Sequence, residues 1–282
     1  MGNWWKYCLS LISAIYFISC LEFSDETFRH LSPAERQKLS ADYVSMTSYT
    51  RTGSKKHMQI LEKAARIDPK NEQAWKRLSE PFLFIGKYRE WHTFSKKAIE
   101  LNPKTWQGWR GYHKLYYFRD YGGALYDLDA TDTLTINKTD YAQNQSVDYL
   151  RGLCYLGLKN HEKAIEYFEL YLDKEKNALG SVEIEHTVYL YLARIQNYFQ
   201  NYKAALDILA EVDQNEILAD HYYQAAFAHF MKGEINEAQQ KIELCREKFI
   251  AGDYHKSPFY EVPHQIYLYD IDLLAYDIEC FL

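Results

Sequence analysis

Five cysteines and ten histidines are the side chains through which this chain could most readily hold a metal or form a nucleophile. Cys8, Cys20, Cys154, Cys245 and Cys280 include no CxxC pair and no Cys/His cluster at zinc spacing, so neither a zinc site nor a disulfide framework is expected. The histidines are scattered without an HExxH, the arrangement that puts two imidazoles and a glutamate on one helical face. His221 and His229 lie eight apart, on roughly one face, and a surface or packing role is expected of them rather than metal ligation. Cys154 and Cys245 fall at helix-packing spacing and are expected to act as small buried hydrophobes. Phosphate-cradling GxGxxG and GxxxxGK[ST] loops are absent, as is a GxSxG nucleophile elbow. Asp127, Asp129 and Asp132, with Asp120 just before, form an acidic cluster. A calcium loop would need alternating oxygen ligands and a closing glutamate. These acids lie on a predicted helix, so a solvated face is expected, with a surface for a basic partner as the alternative. No cofactor, metal or catalytic role is expected.

The elements that carry these residues are read from composition and period. The 282 residues are 47% hydrophobic and 26% charged, which excludes wholesale disorder. Only 12 glycines and 6 prolines are present, too few for the many turns of a β-sandwich or barrel. A net charge of −6 offers no general basic field, so nucleic acid is not an expected partner. Aromatic residues make up 16% of the chain, 26 of them tyrosine.

The first twenty residues read as a leader. Lys6 precedes an apolar run from Leu9 to Ser19 that ends at Cys20. Those residues would rise about 16 Å as a helix, short of the ~30 Å hydrocarbon core, and suit the h-region of a secretory signal. Phe17-Ile18-Ser19-Cys20 resembles a bacterial lipobox, in which a small residue precedes the cysteine that is lipidated. Phe17 and Ile18 depart from the stricter pattern, which prefers leucine three residues before the cysteine. The resemblance implies a signal peptide over 1–19, lipidation at Cys20 and a tether over 20–32. It also implies an address at the bacterial cell envelope, with Leu21 favouring the outer membrane. The alternatives are an uncleaved N-terminal membrane anchor and a eukaryotic leader; Lys6 stands where myristoylation wants Ser or Thr.

A repeat follows. Arg66-Ile67-Asp68-Pro69-Lys70-Asn71-Glu72-Gln73-Ala74-Trp75 aligns with Glu100-Leu101-Asn102-Pro103-Lys104-Thr105-Trp106-Gln107-Gly108-Trp109, and both the proline pair and the Trp75–Trp109 pair are 34 residues apart. The cadence continues at Lys159 to Ala164, Gln200 to Ala205 and Lys232 to Ala238. This is similar to the tetratricopeptide repeat (TPR), whose period is 34. The resemblance implies an all-α, right-handed superhelical solenoid of about six helical hairpins over 33–249, with a loop and a capping helix over 250–282. Close helix packing needs small side chains facing large ones. The slots are Ser45, Ser79, Gly152, Ala193 and Ala226 in the first helices, and Ala164, Ala205 and Ala238 in the second. Trp75, Leu78, Phe82, Tyr112, Tyr116, Tyr155, Phe168, Tyr222 and Ile242 are the expected core.

Some residues break the pattern. Trp91, His113 and His57 occupy small-residue slots, and Pro81 should kink its helix or delay its start. Thr133 to Ser146 and Lys174 to Val182, with Gly180, read as loops. Asn137-Lys138-Thr139 and Asn144-Gln145-Ser146 are glycosylation sequons only in a eukaryotic host. Ser32-Pro33-Ala34-Glu35 is a capping box that starts order near residue 33. Asp253 to Pro258 reads as a loop, and a last helix from about Pro263 carries Tyr267, Ile271, Leu274 and Ile278 on one stripe.

The groove of a TPR array is lined by its first helices, opposite the packing slots. Mapping those faces gives Lys76, Arg110, Lys114, Tyr117, Tyr149, Arg194, Asn197, Tyr198, Tyr223 and Phe227 as a peptide-binding surface, with Glu80 beside them. Basic and aromatic side chains in that order suit an extended peptide bearing carboxylates and apolar anchors. Glu80 stands where the chaperone-tail clamp of some TPR proteins would want asparagine, which disfavours that ligand. The expected function is a non-enzymatic, lipid-anchored scaffold for a protein or peptide partner. The alternative is a lipoprotein that captures glycans or small solutes in an aromatic groove.

Overall fold

The computed structural model describes residues 26–134, 141–177, 185–212 and 214–281. The expected signal peptide, Cys20 and the tether up to residue 25, the sequon at Asn137 and Gly180 lie outside the described residues. Thirteen α-helices and one minimal β-ladder are found among the described residues. They divide into two units, Met1–Trp106 and Gln107–Leu282.

The first unit holds α1 (Pro33–Met46), α2 (Lys55–Ile67), α3 (Glu72–Phe84) and α4 (Tyr88–Leu101), followed by the first turn of α5 (Pro103–Phe118). Ser32 starts α1 through a reciprocal box: its hydroxyl accepts from Glu35 N, and the Glu35 carboxylate accepts from Ser32 N at 2.8 Å. Asn71 caps α3 by accepting from Ala74 N, and Asn102 accepts from Thr105 N ahead of α5. The same Asn102 donates to Glu72 at 2.9 Å, tying the start of one repeat to the start of the next. Trp75 Nε1 donates to the Pro69 carbonyl at 2.9 Å, fastening the start of α3 to the turn before it. Leu61, Leu78, Trp91 and Ala98 are fully buried.

One expectation fails here, and of the two outcomes expected from Pro81 the late start does not occur. Ser45 is exposed; the buried positions are Ser40 and Val44 of α1 and Thr47 just after it, and Ser40 and Val44 stand 34 residues before the buried Ala74 and Leu78. Ser40 Oγ donates to Ala64 O instead, across the hairpin. Pro81 does not delay α3, which starts at its Asn71 cap and continues through the proline to Phe84.

The second unit takes α5 from Gln107 onward, then α6 (Tyr121–Leu134), β1 (Tyr141–Ala142), β2 (Gln145–Ser146), α7 (Val147–Gly157), α8 (His161–Asn177), α9 (Thr187–Tyr198), α10 (Tyr202–Leu209), α11 (Ala219–Met231), α12 (Ile235–Ala251) and α13 (Leu268–Glu279). The helices pair as α5/α6, α7/α8, α9/α10 and α11/α12, with α13 against α12. Together with α1/α2 and α3/α4 these are six hairpins and a closing helix. Gly152 leaves no room for a Cβ against the fully buried Phe168 ring, and Ala164, Ala193, Ala205, Ala226 and Ala238 are fully buried. Small slots therefore face large rings, as steric packing demands.

The second unit corrects several expectations. The end of the predicted 133–146 loop closes into an antiparallel hairpin, Tyr141 opposite Ser146, with Gln143 and Asn144 both at positive φ in the turn. The acidic cluster is a solvated face only in part, since the Asp129 and Asp132 side chains are 56% and 63% exposed. Asp127 is fully buried, and Arg151, 4% exposed, gathers Asp129, Asp132 and Asp148 at 2.8–3.0 Å. The last helix starts at Leu268 rather than near Pro263, where Asp270 accepts from Tyr267 N at 2.8 Å. Ile271, Leu274 and Ile278 are buried as one stripe, but Tyr267 is 47% exposed.

Candidate functional site

The first helices of the second unit are α5, α7, α9 and α11. Their free face is partly covered by a non-helical strap, residues 253–267, which leaves α12 and returns to α13. Tyr260 of the strap enters a tyrosine cage: it stacks on Tyr116 at 4.6 Å, meets Tyr117 edge-on at 5.2 Å and hydrogen-bonds Tyr112 between hydroxyls at 2.6 Å. Burial and that hydroxyl contact push Tyr112 upward. Arg119 donates to the Glu261 carbonyl. Val262 and Ile266 are 3% and 4% exposed, and Tyr191 reaches the Pro263 carbonyl at 3.2 Å.

A second fastening lies at the strap's start. Asp220, 1% exposed, accepts from His255 N at 2.7 Å, and His255 Nε2 is 3.1 Å from the Tyr191 hydroxyl. Burial lifts the Asp220 carboxyl to about 6 despite that bond. Burial also pushes His221 and His255 down to about 4. Neutral imidazoles therefore sit under the strap at neutral pH.

Beside the strap a cavity of about 460 Å³ stays open. Arg194, Asn197 and Tyr198 from α9 line it with Tyr223, Gln224 and Phe227 from α11. His264 of the strap, Leu156, Lys159 and His161 complete the wall. Arg194 has no ion pair or hydrogen bond among the described residues, and burial pulls its guanidinium below the ordinary value. Tyr198, 66% exposed, packs on His161 at 4.2 Å between ring centroids. Asn197 donates to the Gln224 carbonyl at 3.0 Å, fixing α9 against α11. The result is a cationic group set among aromatic rings, able to receive an anionic group that also has apolar surface.

The structure sorts the ten expected groove residues. Five, Arg194, Asn197, Tyr198, Tyr223 and Phe227, surround this cavity. Tyr117 lies beneath the strap against Tyr260. Lys76 belongs to the first unit, where it pairs with Glu80 at 2.5 Å and lies 5.7 Å over Trp106. Arg110, Lys114 and Tyr149 are not groove residues. Arg110 and Lys114, 7% and 5% exposed, contact Asp127 at 2.5 and 2.9 Å, and Gln107 donates to the same carboxylate at 2.6 Å. A buried carboxylate needs compensation, and α6 supplies one that turns both cations inward. Tyr149, 1% exposed, packs between Phe168, Tyr171 and Tyr191, with its hydroxyl on Thr187.

The strap itself was missed as part of the site. Its available signal was the spacing of Tyr260, Val262 and Ile266, alternating apolar positions in a stretch without helical period.

Comparison with known proteins agrees with this geometry. A family model described as tetratricopeptide repeat matches residues 149–173, within hairpin α7/α8. Among solved structures, PilW, described as a widely conserved type IV pilus biogenesis factor, is 16% identical with a TM-score of 0.53, over 76% of this chain and 92% of that one. PilF of Pseudomonas aeruginosa is 19% identical with a TM-score of 0.54, over 77% and 99%. Yeast Tom70 is 12% identical with a TM-score of 0.53, over 86% of this chain and 46% of that one. No curated protein matches the sequence. The chain has the fold of tetratricopeptide repeat proteins, and one of its hairpins carries the repeat's own sequence pattern.

Proposed function

We propose that this protein is a non-enzymatic scaffold that holds an extended segment of a partner protein against the first-helix face of its second unit. The observation that carries this reading is Arg194, a half-buried guanidinium with no ion pair among the described residues, lining an open cavity walled by Tyr198, Tyr223 and Phe227. A partner's acidic side chain beside an apolar one would satisfy both features. The neighbouring strap supports a polypeptide ligand over a glycan. The same face already holds a non-helical stretch of chain by a tyrosine anchor and by bonds to main-chain carbonyls.

The scaffold is lipid-anchored through Cys20 at the bacterial cell envelope, in the outer membrane. The support for this address is the lipobox-like leader and the likeness in fold to PilW and PilF, which is analogy at the level of architecture. An uncleaved N-terminal anchor is the alternative attachment.

Affinity capture from the native host tests the reading. Wild-type protein should retain a protein partner, and Arg194→Glu should lose it with an unchanged melting temperature, because Arg194 supports no internal ion pair. Equal recovery by the variant removes the cavity from the interface. Retention of glycans or small solutes, with no protein, favours the capture reading instead.

A further inference from the structure

A second cavity lies at the opposite ends of the same helices, and its chemistry is the reverse. It measures about 410 Å³ and is bounded by the β1–β2 hairpin, the end of α8 and the approaches to α9 and α11. Three carboxylates, Glu175, Glu185 and Glu216, line it with Tyr141 and Tyr171, and among the described residues no lysine or arginine does. Glu175 is the decisive one. It is 5% exposed, sits in the last turn of α8 where the helix dipole disfavours negative charge, and has only one oxygen satisfied. Tyr141 donates to Oε1 at 2.8 Å, while Oε2 has no partner among the described residues. The flanking lysines are engaged elsewhere, Lys174 with Asp148 at 2.5 Å and Lys176 with Glu211 at 3.7 Å.

Further polar groups around this cavity are also unmet. Ser146 Oγ, on a residue 4% exposed, has no partner, and neither has His186 Nδ1. Glu185 is held in place, accepting from Thr187 Oγ1 at 3.0 Å, and its own main-chain N–H donates to the Tyr171 hydroxyl at 2.6 Å. Such a wall combines uncompensated negative charge, hydrogen-bond acceptors and aromatic faces. A buried carboxylate without a cation is costly, and the cost is relieved when a ligand supplies the charge. Among the described residues no group of three or more His, Cys, Asp or Glu side chains is placed to ligate a metal.

We propose that this cavity binds an ammonium or guanidinium group, seated between the Glu175 and Glu185 carboxylates and the Tyr141 and Tyr171 rings. Its N–H donors meet the carboxylates, and the tyrosine faces contribute cation–π attraction. The group can come from a free polyamine or from a Lys or Arg side chain of a bound protein. Neither source depends on the Arg194 cavity, so this site stands or falls separately from the scaffold reading.

Calorimetric and NMR titration of the purified full-length chain decides it, with butylammonium and methylguanidinium as probes and 1-butanol as the neutral match. Both cations should bind in the millimolar range or tighter, and 1-butanol should not. Glu175→Gln, which keeps an acceptor for Tyr141, should weaken the cations about tenfold or more, as loss of a charge-assisted contact does. Glu185→Gln, at a partly exposed position, should weaken them several-fold and covers the case in which the first variant fails to fold. Spermidine and an N-acetylated, C-amidated Lys-Ser-Lys peptide separate the sources: tighter binding of the first assigns a polyamine, of the second a protein side chain. The proposal is overturned if wild type does not distinguish the cations from 1-butanol, or if both glutamine variants bind them as tightly as wild type.

Discussion

Charge at single residues decides more about this molecule than its net charge does. Arg110 and Lys114 belong to the interior because Asp127, fully buried, has no other compensation. Asp127→Ala leaves two buried cations without a partner and should cost about 3–5 kcal/mol, read as a lower urea midpoint. Titration of the fastening beneath the strap gives a second prediction. His221 and His255, held at about 4, bind fewer protons folded than unfolded between their ordinary value and pH 4, so the stability they support is present above about 6.5 and is lost as pH falls. Asp220, lifted to about 6, acts in the opposite direction, its share being lost as pH rises from about 4 through 6. Two imidazoles outweigh one carboxyl. The melting temperature should fall between pH 6.5 and 4, more steeply in Asp220→Asn and less steeply in His255→Gln; a flat wild-type profile would contradict the assignment. Cysteine chemistry is absent from this balance, since burial raises the thiols of Cys154 and Cys245, the latter to about 12.

At the scale of the element, the hairpin turns repeat one backbone feature with different residues. Gly86 and Gly233 take the left-handed conformation in two turns, and Arg119, Lys159 and Gln200 take it in three others at φ of 54°, 59° and 61°. Only glycine adopts that conformation without steric cost. Gln200 is exposed and its side chain bears no part of the core, so Gln200→Gly should raise stability by up to about 1 kcal/mol, seen as a higher melting temperature. An unchanged or lower value would show that glycine's greater unfolded-state freedom cancels the relief. The hairpins themselves were legible, because a small residue at a fixed offset from a ring is a local, repeating signal. Trp91, His57 and His113 break that signal yet are buried at 0%, 4% and 8%. Their neighbours adapt: His57 Nδ1 lies 2.9 Å from Thr50 Oγ1, and Trp91 packs on Tyr88 with ring centroids 5.7 Å apart. The strap was not legible as an element, since it has neither helical period nor ladder and is held by residues from 35 to 148 positions away.

For the whole molecule, the proposed address rests on the lipobox-like N-terminal sequence and the proposed chemistry on the second unit. Mass spectrometry of the protein from its native host should find Cys20 as the acylated first residue; a mature chain beginning at Met1 would favour the retained anchor instead. By itself the sequence determined the helical class, the hairpin spacing, the capping box at Ser32 and the absence of familiar catalytic motifs. These are set by interactions within a few turns of chain, so composition and period report them directly. It also marked five residues of the Arg194 cavity, because the face of a helix follows from its period. Which cations stay free was decided only by the tertiary structure. Arg110 and Arg194 occupy the same kind of helical face, and they differ because one meets a carboxylate from the facing helix of its hairpin and the other meets none among the described residues. Charge pairing and burial depend on what the chain brings together in space, and no local pattern encodes that.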